Sequence, residues 1–159
     1  MKSKLRIKRS GEVFTPKKLV NEMLDNLPSS VWLDSIKTWL EPSAGDGNFL
    51  VEIKARLLQV GHDEKHILDN MIFSIELLPD NHWVLQHRLG YLVDGKPNPK
   101  FWPNGENFQT SELHELALEI DHHNPYGGTI VLHHRNHVCT SALDYDYEFG
   151  RGIKQKLSL

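Results

Sequence analysis

The run Leu40-Glu41-Pro42-Ser43-Ala44-Gly45-Asp46-Gly47-Asn48-Phe49-Leu50 constrains the fold more than any other part of this chain. An apolar strand end delivers an acid, then a bend with two glycines, then the apolar periodicity of a helix. Glycines 45 and 47 carry no Cβ, so the backbone can turn sharply there and admit close approach of a ligand. The N–H groups of the following helical turn then face that ligand, as in the first turn of a nucleotide-type cofactor site. A glycine pair alone would serve equally well for tight strand-to-helix packing in a plain α/β domain, with Glu76 a solvated strand end. Its flanks add weight to the first reading. Gly11-Glu12-Val13-Phe14-Thr15-Pro16 with Leu19, Val20, Met23 and Leu24 lies upstream, and Phe73-Ser74-Ile75-Glu76-Leu77-Leu78-Pro79-Asp80 lies downstream.

Together these three segments resemble the N-terminal half of the S-adenosylmethionine-dependent adenine-N6 DNA methyltransferases, in the type with the Phe-Thr-Pro segment first. In that family the first segment closes over the methionine part of the cofactor. The strand-turn-helix segment cradles its carboxylate, amine and sugar, and an acid ending the second strand takes the ribose hydroxyls. The resemblance implies S-adenosylmethionine as cofactor, with Phe14, Thr15 and Pro16 in the first role, Glu41, Ser43, Gly45 and Gly47 in the second, and Glu76 in the third. Asn136 to Tyr147 resembles the family's next motif, with Ser141 where an aspartate usually accepts from the adenine amino group; a serine hydroxyl accepts too, without charge assistance. The resemblance covers Gly11 to Phe149.

The family's catalytic Asn/Asp-Pro-Pro-aromatic segment, which holds a flipped adenine, does not occur in the 159 residues. Asn124-Pro125-Tyr126 is the nearest approach; it lacks one proline, precedes the third motif, and followed by Gly127-Gly128 it reads as a turn. No catalytic residue is therefore assigned. The expectation is a methyltransferase-like protein that is incomplete or acts with a partner chain. The alternative is a non-catalytic binding or regulatory protein that reuses the fold.

Residues 1–10 read as a basic leader and 11–159 as one α/β domain, with 39% hydrophobic residues to build its core. The net charge of −3 lacks the basic excess common in chains that grip DNA alone. Lys2, Lys4, Arg6, Lys8, Arg9, Lys17 and Lys18 form a local basic stretch that suits nucleic acid, an acidic partner, or plain solvation. A single cysteine, Cys139, excludes an internal disulfide and fits a reducing cytoplasm. No apolar run approaches membrane-spanning length. Gly95, Pro97, Pro99, Pro103 and Gly105 mark an irregular insertion at about 94–107, whose Phe101 and Trp102 are expected to pack on their own domain rather than on a base or a partner.

Apolar spacing predicts helices over Pro16 to Asn26, Gly47 to Leu58, Asp63 to Asn70, Pro79 to Tyr91 and Ser111 to Ile120. Strands are expected at Thr38 to Glu41, Met71 to Leu77, Thr129 to Leu132 and Asn136 to Thr140. Such alternation argues for a parallel sheet with helices on both faces, and the resemblance makes it a truncated Rossmann-like, class I methyltransferase sheet. Without a fourth strand the first becomes an open apolar edge, which invites a second copy of the chain or a partner protein.

Ten histidines are present, half of them in Asp121-His122-His123 and His133-His134-Arg135-Asn136-His137. Around Gly127-Gly128 this segment superficially resembles the ββα-metal endonucleases, with His122 or His123 as base and His137 beside Asp121 as ligand. His122, His133, His137 and Cys139 are zinc-ligand types without compact paired spacing. Exposed loop histidines ahead of a strand are the simpler expectation, and no metal site is assigned.

Overall fold

A computed structural model describes residues 13–101, 107–109, 130–132, 134 and 136–139. Helix α1, Lys17–Asp25, follows Pro16, whose φ of −60° leads the chain into the first turn. It buries only Val20 and Leu24, while Leu19 and Met23 of the same apolar face stay about half exposed. A short α2, Ser30–Leu33, puts Trp32 into the core, where it stacks on Trp39 with ring centroids 4.4 Å apart. Strand β1, Trp39–Glu41, leads through the glycine bend into α3, Asn48–Gln59. Leu50, Ile53 and Leu57 of α3 are buried at i, i+3 and i+7, the stripe that the sequence spacing required. Arg56, on its last turn, reaches back to α1 with an ion pair to Asp25 at 2.7 Å, and its guanidinium lies over the Trp32 ring.

Asp63 caps a single turn, α4, Glu64–His66, by accepting from the His66 N–H. The chain widens into a π-type turn at Ile67–Met71 and enters β2, Ile72–Glu76. Pro79 begins α5, Pro79–Leu89, which ends on Gly90 in the left-handed conformation. After the hairpin strands β3 (Leu92–Val93) and β4 (Lys96–Pro97), β5 (Asn107–Gln109) pairs antiparallel with β6 (Ile130–Leu132). The last described strand, β7, is His137–Cys139.

Strands β1, β2 and β7 form a parallel sheet in the order β1-β2-β7, with Leu40 beside Phe73 and Glu76 beside Cys139. Both crossovers step in the same direction, so right-handed connections put α3 and α5 on one face, and the two helices touch. The core joins Trp39 and Ile72 on that face to Leu50, Leu57, Leu85 and Leu89. Leu40, Phe73, Ile75 and Val138 point the other way and belong to no part of that core. Helices on both faces were expected; among the described residues they share one, because the steps that would reverse direction are not among them. The helix expected at Ser111 to Ile120 lies outside the described residues, as does the basic leader. Among the described strands β1 pairs with β2 alone, and Leu40 is 40% exposed; the expected open edge also depends on residues outside the described ones.

The supposed irregular insertion begins as a hairpin, because Asp94 and Gly95 both take positive φ, 50° and 75°, as a two-residue turn of the primed type requires. A Cβ at Gly95 would find only ordinary contact with Trp83, so Gly95→Ala exposes the backbone cost alone, about 1–2 kcal/mol, measurable as a shift in the urea midpoint. The strand near Thr129 exists at Ile130–Leu132 but pairs with β5 outside the parallel sheet. Phe101 packs inward as expected, 1% exposed and edge-on to Tyr91; Trp102 lies outside the described residues.

His134 and His137 are buried, at 1% and 0% exposure, rather than displayed on a loop. Both rings lie against Tyr91, with centroids 4.4 and 4.5 Å away. His137 Nδ1 is hydrogen bonded to Ser74 Oγ at 2.6 Å, and the His134 N–H donates to Gln86 Oε1 at 2.8 Å. Between them Asn136 donates to the Leu68 and Asp69 carbonyls. Ser74, Gln86 and the Leu68 and Asp69 carbonyls thus seat the third strand and offset part of the desolvation, while the buried His137 Nε2 has no hydrogen-bond partner among the described residues. Burial, then the nearby His134, pushes the His137 imidazole well below its ordinary pKa, so it is neutral.

Candidate functional site

The C-terminal ends of β1 and β2 bring the three sequence segments together. Beyond β1 the chain folds across β2, with the Ala44 N–H donating to the Ile75 carbonyl at 3.0 Å. Gly45 follows with φ +56°, and its N–H donates to Glu76 Oε2 at 2.6 Å. The other carboxylate oxygen, Oε1, accepts from the Leu78 N–H at 2.9 Å. Glu76, 8% exposed, therefore clamps the glycine bend of the first βα unit to the start of the second. Glu41 does the same locally, its Oε1 accepting from the Ser43 N–H at 3.0 Å.

Each glycine answers a close approach. A Cβ on Gly45 would come within 2.9 Å of the Phe14 ring, and one on Gly47, at φ +96°, within 3.3 Å of Leu85 Cγ. Phe14 thus lies directly on the bend, and α5 presses against the start of α3. Thr15 and Pro16 continue over the same end of the sheet, the Thr15 carbonyl accepting from Asn48 Nδ2 at 2.9 Å.

Of the residues singled out in the sequence, Phe14, Thr15, Pro16, Glu41, Ser43, Gly45, Gly47 and Glu76 converge here. Ser141 lies outside the described residues, as do Asp121, His122 and His123. Arg88 carried no signal in the sequence, and Asn48, Asp80 and Cys139, though present in the motif segments, were assigned no role at this site. Asp80, 6% exposed in the first turn of α5, accepts from the Asn81 N–H, and favours the positive helix end it occupies. Cys139 is 1% exposed beside Glu76 in the sheet register. Burial, then the charges of Glu76 and Asp80, pushes its thiol well up, so it is a protonated, inert wall of the site.

Chemically the arrangement offers backbone N–H groups, buried carboxylates and an aromatic ring at the carboxyl end of a parallel sheet, where ligands of open α/β folds bind. Among the described residues no group of three or more His, Cys, Asp or Glu is placed to hold a metal ion. No described helix is long and apolar enough to cross a membrane. In comparisons with known proteins the chain matches no family model and no curated protein.

Proposed function

We propose that the chain binds S-adenosylmethionine at this end of the sheet, in the manner of the adenine-N6 DNA methyltransferases that its motifs resemble. The observation that carries the reading is the 2.6 Å hydrogen bond from Gly45 to Glu76, with Phe14 lying on the same bend. Motifs separated by some thirty residues on either side meet at one point, in the order the cofactor would need. On this reading the sheet is a Rossmann-like one. The Glu76 carboxylate, which besides its two backbone partners accepts from Asn81 Nδ2 at 3.5 Å, takes the ribose hydroxyls on this reading. The bend beyond Glu41 and Ser43 faces the amino-acid portion, and Ser141 accepts from the adenine. Transfer in that family is direct attack of an adenine amino nitrogen on the sulfonium methyl, so the protein's contribution is position; the flipped adenine of DNA is then held by a partner chain.

A second reading has its own support. Both Glu76 oxygens already hold backbone N–H groups, which suits a scaffold that keeps the motifs for rigidity and binds a partner instead. Titration calorimetry of the purified protein with S-adenosylmethionine and S-adenosylhomocysteine separates the two. The cofactor reading expects dissociation constants in the micromolar range, lost in Glu76→Ala; no heat at millimolar ligand contradicts it.

A further inference from the structure

Asn48 opens α3 immediately after Gly47, and its amide uses both ends. Nδ2 donates to the Thr15 carbonyl at 2.9 Å, and Oδ1 accepts from Arg88 Nη1 at 2.8 Å. Arg88, on the last turn of α5, also donates to the Asp46 carbonyl at 3.0 Å and pairs with Asp46 Oδ1 at 3.2 Å. One guanidinium therefore fixes the glycine bend and the orientation of the Asn48 amide together. Because that amide has its oxygen on a cation, its NH2 has to face Thr15.

We propose that Asn48 is a positioning residue that straps the segment Phe14-Thr15-Pro16 across the glycine bend, with Arg88 setting the amide. The inference rests on the cofactor reading for its functional consequence and on geometry alone for the strap. A ligand held between segment and bend leaves only when the strap opens, so the strap governs dissociation more than encounter. Lys17, paired with Glu52 of α3 at 3.5 Å, is 80% exposed and cannot replace a hydrogen bond made under cover.

Hydrogen exchange with Asn48→Ala, Asn48→Asp and Arg88→Ala tests this. Asp keeps an acceptor for Arg88 but cannot donate to Thr15, so Asn48→Asp separates the strap from the Arg88 link and serves if the alanine variant does not fold. Loss of one net hydrogen bond should speed exchange of the Val20 amide, which donates to the Pro16 carbonyl at 3.0 Å, by about tenfold in both Asn48 variants. Exchange in β2 should be unchanged. S-adenosylhomocysteine should dissociate faster by a similar factor with an unchanged association rate, which general loosening of the fold would not produce. Unchanged exchange at Val20, or faster exchange with an unaltered dissociation rate, overturns the proposal. If the unmodified protein binds no S-adenosylhomocysteine, the cofactor reading and the functional half fall together, and exchange alone decides the strap.

Discussion

Glu76→Ala is expected to lower the unfolding free energy by about 2–4 kcal/mol, since it strands two covered N–H donors that now have a charged acceptor. Gly45 and Leu78 supply those donors at 2.6 and 2.9 Å. Leu78 is 3% exposed just ahead of α5, and Gly45 is half-buried at the bend with Phe14 on it, so the larger share of the loss falls on the Leu78 donor. Glu76→Gln should fall between wild type and alanine, because an amide accepts with its oxygen but turns an NH2 toward the second N–H. Urea unfolding of the three proteins, at equal slope, measures both differences. A glutamine variant as stable as wild type would mean that the clamp is not made by charge. An alanine variant within about 0.5 kcal/mol of wild type, the range of surface substitutions, would mean that no clamp exists.

Acid is expected to release the third strand. The His137 imidazole is depressed in the fold and ordinary in the unfolded chain, so the unfolded state binds the extra proton. Its share of stability is therefore fully present above about pH 6.5 and falls by about 1.4 kcal/mol per pH unit below it, until the native group itself titrates. The groups around it give no relief: Ser74 and Tyr91 are neutral, and His134 adds like charge. His137→Gln, which can still meet Ser74, should be less stable at neutral pH. It should show a shallower decline between pH 6.5 and 5 than wild type. Parallel declines in the two proteins would show that the depression of His137 contributes nothing to folding.

The parts of this molecule that sequence reveals are those governed by local periodicity and by backbone geometry. The stripe of Leu50, Ile53 and Leu57 predicts α3 within a residue of its observed Asn48–Gln59 span. Gly45 and Gly47 announce a bend, and both take positive φ. The apolar run ending in Glu76 reads directly as β2. Asp94-Gly95 carried a hairpin signal, but neighbouring prolines and glycines made the stretch look irregular. His134 and His137 look like surface residues because a polar ring usually faces water; Tyr91, Ser74 and Gln86, which cover them, come from distant segments. Arg88 is invisible for the same reason, since only the packing of α5 on the start of α3 brings it to Asn48 and Asp46.

The pairing of sheet edge and apolar reverse face also bears on association. Among the described residues β1 pairs on one side only, and its Leu40, 40% exposed, lies on the same face as Phe73 and Val138. A homodimer or a partner chain completing the sheet through β1 is the association that the cofactor reading proposes.

The decisive measurement is amide chemical-shift mapping by NMR as S-adenosylhomocysteine is titrated into the full chain. A cofactor site at this end of the sheet moves the amides of residues 14, 15, 41, 43–48 and 76–78 together and saturably, and leaves those of the hairpin at 92–96 still. Shifts elsewhere, or none at millimolar ligand, would contradict it and leave the clamped bend as a scaffold.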